Sequence, residues 1–119
     1  MARNQSRAFI RDLSYNSEVR LSVPSQYKAV KRAVISALRS GMFQHEARSS
    51  INVKNLLSTG QVTAQFVEML ITRSDGTQYR SSPHHNVPAV DVHIIESGGW
   101  YVKFYFVGDP ETVFISVHQ

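Results

Sequence analysis

The last third of the chain is the segment that most limits its fold. Val90, Val92, Ile94 and Ile95 form one apolar run, Gly98-Gly99 is a two-residue turn, and Tyr101 to Val107 is a β-branched and aromatic run. Asp109-Pro110-Glu111 then turns the chain again and Val113 to Val117 returns. Three strands separated by such short turns predict an antiparallel meander. Side chains alternate across a strand, so Val102, Phe104 and Phe106 fall on one face and Tyr101, Lys103, Tyr105 and Val107 on the other. The all-apolar set is the predicted core face, and the second set leaves Lys103 between two tyrosines on an open face.

Helical spacing dominates upstream. Tyr27, Val30, Val34, Ile35 and Leu38 recur at the helical period, with Pro24 suited to a first turn and Gly41 to a left-handed cap. Lys28, Lys31, Arg32 and Arg39 take the opposite side. Ile51, Val53, Leu56 and Leu57, ending at Gly60, predict a shorter second helix capped by Ser49 or Ser50. Residues 62 to 72 fit a helix through Val62, Phe66, Met69 and Leu70 and a strand through Val67, Met69 and Ile71; the helix is favoured, although Asp75-Gly76 is a hairpin signal. Residues 1–23 show no sustained period and read as an arm or irregular segment, leaving 24–119 as one α+β domain with its N-terminal helices packed on a C-terminal antiparallel sheet. A length of 119 residues suits one core.

Charge is unevenly spread. Nine of the 13 Lys and Arg residues fall in residues 1–48, whereas the last 38 residues carry only Lys103, and the formal net charge is +4. Such a balance attracts phosphate. No cysteine is present, which removes disulfides, thiolate metal sites and a Cys nucleophile. The reading implies no cofactor or metal, no membrane span and a cytoplasmic protein, or one delivered into a target cell's cytoplasm. Nucleotide-binding glycine loops and the common hydrolase motifs do not occur.

Three groups could carry chemistry. Lys103 with its flanking tyrosines can hold a phosphate while the rings stack on bases, or form an ordinary solvated strand face. His84 and His85 are adjacent, with His45, His93 and His118 dispersed at no metal-binding spacing; His118, past Ser116, sits where a proton carrier could end the sheet. In Phe43-Gln44-His45-Glu46-Ala47-Arg48, a helical turn would let His45 and Arg48 address one phosphate, unless Glu46 simply pairs with Arg39 or Arg48.

Ser74-Asp75, Tyr79-Arg80-Ser81, Asp91-Val92, Tyr101-Val102-Lys103-Phe104 and Ile115-Ser116, followed closely by the chain's end, form a spacing pattern. Over residues 67–118 it resembles the C-terminal half of the motility quorum-sensing regulator (MqsR) toxins, bacterial endoribonucleases of the RelE-like fold class. The resemblance implies a RelE-like sheet and metal-independent cleavage of single-stranded RNA, with neutralisation by an antitoxin or immunity protein. It implies catalytic roles for Arg80, in a polar loop, and for Tyr101 and Lys103. Val90, Ala89 and the His118-Gln119 end depart from the family's Gln, Trp and terminal lysines. Arg80 and Lys103 would then offset the phosphorane charge, Tyr101, His118 or His45 would move protons, and Arg48, Tyr105, His84 and His85 would contact RNA. The alternative is a non-catalytic module binding nucleic acid or protein on the same scaffold.

Overall fold

The computed structural model describes residues 23–47 and 54–119. The predicted arm and Arg48 therefore lie outside the described residues, apart from Val23, which opens the first helix. Helix α1 is Val23–Ser40 and helix α2 is Ala64–Arg73. The strands are β1 Phe43–His45, β2 Tyr79–Pro83, β3 Asp91–Ser97, β4 Trp100–Phe106 and β5 Thr112–His118. They form one five-stranded sheet in the order β1-β5-β4-β3-β2.

The predicted helix is present, and Tyr27, Val30, Val34, Ala37 and Leu38 bury its apolar stripe. Gly41 ends it at φ 78°, a conformation that suits a residue without Cβ. The helical reading of residues 62–72 also holds. Thr63 caps α2 by accepting a hydrogen bond from the Phe66 amide at 3.0 Å, and Val67, Leu70 and Ile71 are buried. Tyr27 Oη donates to Ser74 Oγ at 2.6 Å, and Ser74 Oγ donates to the Ile71 carbonyl at 2.6 Å, tying α1 to the end of α2. Arg39 pairs with Glu68 across the same two helices.

Both helices contribute to a core whose sheet floor includes Tyr79, Ile95, Val102, Phe104, Phe114 and Val117. The meander β3-β4-β5 is antiparallel as expected, with Gly98 and Gly99 at φ 59° and 81° in its first turn. No helix among the described residues is long and apolar enough to cross a membrane.

Several expectations need correction. The sheet is mixed rather than antiparallel, because β1 pairs parallel to β5. Antiparallel β2 adds the opposite edge and carries Arg80, which is on a strand and not in a loop. Residues 43–45 are strand, so His45 does not sit on a helical turn. Residues 54–60 are not helical: the Val117 amide donates to the Lys54 carbonyl at 3.0 Å and the Leu56 amide to the Val117 carbonyl at 2.8 Å. Backbone groups that a helix would use are thus committed to the β5 edge. Residues 51–53 of that predicted helix lie outside the described residues. Asp75-Gly76 opens a 3₁₀ turn, Gly76–Gln78, rather than a hairpin; Asp75 Oδ1 accepts from the Thr77 amide and Gln78 Oε1 from the Asp75 amide, each at 2.9 Å.

Candidate functional site

Pairing register fixes which side chains share the face away from the helices. Lys103 lies opposite Ile94 on β3 and Ser116 on β5, Tyr101 opposite Glu96 and His118, and Tyr105 opposite Val113. Arg80 and Ser82 on β2 extend the same face, opposite Ile94 and Val92. The predicted alternation therefore holds for β4: Val102 and Phe104 are buried beneath the helices, and Tyr101, Lys103 and Tyr105 lie on the other side.

A bulge in β5 shapes this face. Phe104 pairs with Phe114 but Lys103 pairs with Ser116, which leaves Ile115 as the extra residue. The shift lets Phe114 and Val117 both face the core, while Ile115 becomes a wall of the cleft on the open face. That cleft has a volume of about 670 Å³, and Glu46, Ser82, His84, His85, Val92 and Lys103 are among its lining residues. Among the described residues Lys103 takes part in no ion pair.

Glu46 is the hub of the cleft. Its amide donates to the Phe114 carbonyl at 2.9 Å, carrying the β1 path one residue further along β5. Alternation then turns Glu46 away from the core that Phe43 touches. His84 Nε2 bonds Glu46 Oε2 at 2.9 Å, and Tyr105 Oη donates to the same oxygen at 3.2 Å. His84 Nδ1 accepts from the amides of Asn86 and Val87 at 3.0 and 3.2 Å, which assigns the proton to Nε2 and makes His84 the donor to Glu46. The loop that carries His84 is closed by its amide donating to the Val90 carbonyl at 2.7 Å. The His84 and Tyr105 rings meet edge to face at 5.0 Å. Burial, and then the Glu46 carboxylate, raise the Tyr105 hydroxyl above the usual tyrosine range, so it stays a donor.

The face carries two further pairs. Tyr101 and His118 stack, with ring centres 5.0 Å apart and planes 19° from parallel. Arg80 Nη1 and Glu96 Oε2 form an ion pair at 2.6 Å, with both side chains about half exposed.

Of the residues singled out from the sequence, Arg80, Tyr101, Lys103, Tyr105 and His118 share the open face, and His84 and His85 line its cleft. His84 is buried with both ring nitrogens hydrogen-bonded, so it holds the site rather than touching a ligand. His45 is separated from them. Its ring lies beside Phe43 and Phe114 on the helix side, Asn55 Nδ2 lies 3.1 Å from its Nδ1, and burial holds its pKa down. His93 is likewise buried on that side, stacked on Tyr79, whose hydroxyl lies 2.9 Å from His93 Nδ1. No three His, Asp or Glu side chains among the described residues converge as a metal site would require.

Glu46 is the site residue that the sequence does not single out, since there it figures only as a partner for Arg39 or Arg48. Its one local signal is the short alternation of Phe43 and His45 against Gln44 and Glu46, which fits a strand with its polar side outward but is too short to identify one alone. The open face thus brings together a cation with no ion-pair partner among the described residues, stackable rings and a carboxylate oriented by two donors. That combination is able to grip a phosphodiester and move a proton. Comparison of the chain with protein-family models, with characterised proteins and with solved structures finds no match.

Proposed function

We propose that the open sheet face binds single-stranded RNA and cleaves it without a metal, as a toxin-like endoribonuclease neutralised by an antitoxin or immunity protein. The observation that carries this reading is the cleft itself, where Lys103 lies with Glu46 and His84 on the sheet face that also bears the half-buried Tyr101–His118 stack. Lys103 is the phosphate ligand, and the Tyr101–His118 stack offers a platform for a base. The spacing pattern shared with the MqsR toxins supports the same reading, and the RelE-like assignment of the sheet belongs to this proposal.

Non-catalytic RNA binding on the same face is the second reading. It is favoured by one observation: Arg80, which the resemblance casts as catalytic, is engaged by Glu96.

A labelled mixed-sequence single-stranded RNA incubated with the protein in excess chelator separates the two. The first reading predicts cleavage to fragments ending in 2′,3′-cyclic phosphate, lost at least tenfold in Lys103→Ala. Intact RNA retained in a protein complex would leave the second reading, and neither cleavage nor binding would overturn both.

A further inference from the structure

Resting on the nuclease reading, we infer that Glu46 is the catalytic base that takes the proton from the attacking 2′-hydroxyl, and that His84 is the residue that positions it.

His84 spends its Nδ1 lone pair on two backbone amides of its own loop, so it keeps a single N–H and aims it at Glu46 Oε2. Tyr105 aims a second donor at the same oxygen. Two fixed donors on one oxygen hold the carboxylate in one orientation, at the wall of a cleft that also contains Lys103. The arrangement spans the sheet, since His84 follows edge strand β2 and Glu46 follows edge strand β1, with Tyr105 of central β4 between them.

Other groups in reach fit the base role less well. His84 has neither nitrogen to offer. Tyr105 is a donor whose hydroxyl resists ionisation. His45 lies on the other side of the sheet. His85, exposed at the cleft wall, is the remaining rival.

In the step itself, the Glu46 carboxylate accepts the 2′-hydroxyl proton as the 2′-oxygen bonds to phosphorus. The P–O5′ bond breaks with its electron pair left on O5′, and the proton returns to O5′ through water. The products are a 2′,3′-cyclic phosphate and a 5′-hydroxyl, so no oxidant, reductant or net water is needed. Lys103 faces the anionic oxygens throughout. A base of this kind commits the site to RNA, because DNA lacks the proton to be removed.

The test uses the full chain with a mixed-sequence single-stranded RNA for cleavage, and its 2′-O-methyl counterpart, which cannot be cleaved this way, for affinity. Glu46→Gln retains an acceptor for His84 and Tyr105 but cannot take the proton. It is expected to slow single-turnover cleavage at least about 100-fold while leaving 2′-O-methyl affinity unchanged in a folded protein. His84→Ala is expected to slow cleavage at unchanged affinity, and His84→Gln, which restores an N–H donor, to recover part of the rate. Cleavage by Glu46→Gln within about threefold of the parent overturns the assignment, as does loss of activity in His85→Ala alone. If Glu46→Gln does not fold, equal rates in His84→Ala and His84→Gln overturn it. A parent protein that cleaves no RNA overturns the nuclease reading as well, an outcome distinct from an active parent with an active Glu46→Gln.

Discussion

The two faces of strand β4 differ in what their side chains are for. On one, Val102 and Phe104 are buried beneath α1 and α2, within a cluster that includes Ile95, Phe114 and Val117. On the other, one residue away along the same backbone, Tyr101, Lys103 and Tyr105 meet polar partners or solvent. Burial against helices rewards shape and apolar area, whereas the open face is organised by hydrogen bonds and charge. A change on the first face therefore costs packing, whereas a change on the second alters hydrogen bonds and charge and, on the proposed function, ligand chemistry.

The largest expected effect lies on the core face. Phe104→Ala should destabilise the fold by about 3 to 5 kcal/mol in denaturant unfolding, because the cavity left beneath the helices cannot fully collapse. A loss under about 1 kcal/mol would mean the two faces are not divided in this way. On the open face, the proposed nuclease reading expects Arg80→Ala to lower RNA cleavage at least tenfold, the cost of removing a charged group from the transition state. Its stability should change by less than about 1 kcal/mol, since the Arg80–Glu96 pair is half exposed. Undiminished cleavage would remove Arg80 from the site. Tyr105→Phe deletes the hydroxyl that donates to Glu46 but keeps the ring, and should reduce stability by about 1 kcal/mol.

The smallest effect is a pH slope on the core face. Burial lowers the pKa of His93 from 6.5, outweighing the opposing charge of Asp91. The unfolded chain then binds this proton more readily than the folded one, so stability is intact above the unfolded value and falls as pH drops below it. Melting temperature should decline from about pH 8 to about pH 5, and less steeply in His93→Gln. His45, lowered in the same way, adds to the same slope. An identical slope in His93→Gln would assign the acid sensitivity elsewhere.

Local pattern made part of this architecture legible. The α1 stripe, the Gly98-Gly99 turn and the β4 alternation each depend on residues close in sequence, and the structure has them as the sequence predicts. β1 escaped because it is only three residues long and gains its hydrogen bonds from β5, nearly seventy positions away in Phe43↔Thr112. Lys54 to Leu56 misled for the same reason: a helical apolar spacing is overridden when a distant strand offers pairing. Strict period two also fails in β5, where the bulge at Ile115 puts Phe114 and Val117 on one face. At the site, Lys103 and its tyrosines could be read from alternation alone. Glu46 and His84 could not be joined, since their hydrogen bond needs both sheet edges and a loop to be in place.

The most direct test of the division between the faces is the salt dependence of binding to 2′-O-methyl RNA, measured for the parent and for Lys103→Ala. With the melting temperature unchanged, the variant should bind more weakly and its affinity should fall with salt by roughly one unit less of log–log slope, as expected when one phosphate is no longer neutralised by the protein. Equal affinity and an equal slope in a folded Lys103→Ala protein would contradict the assignment of the open face to RNA.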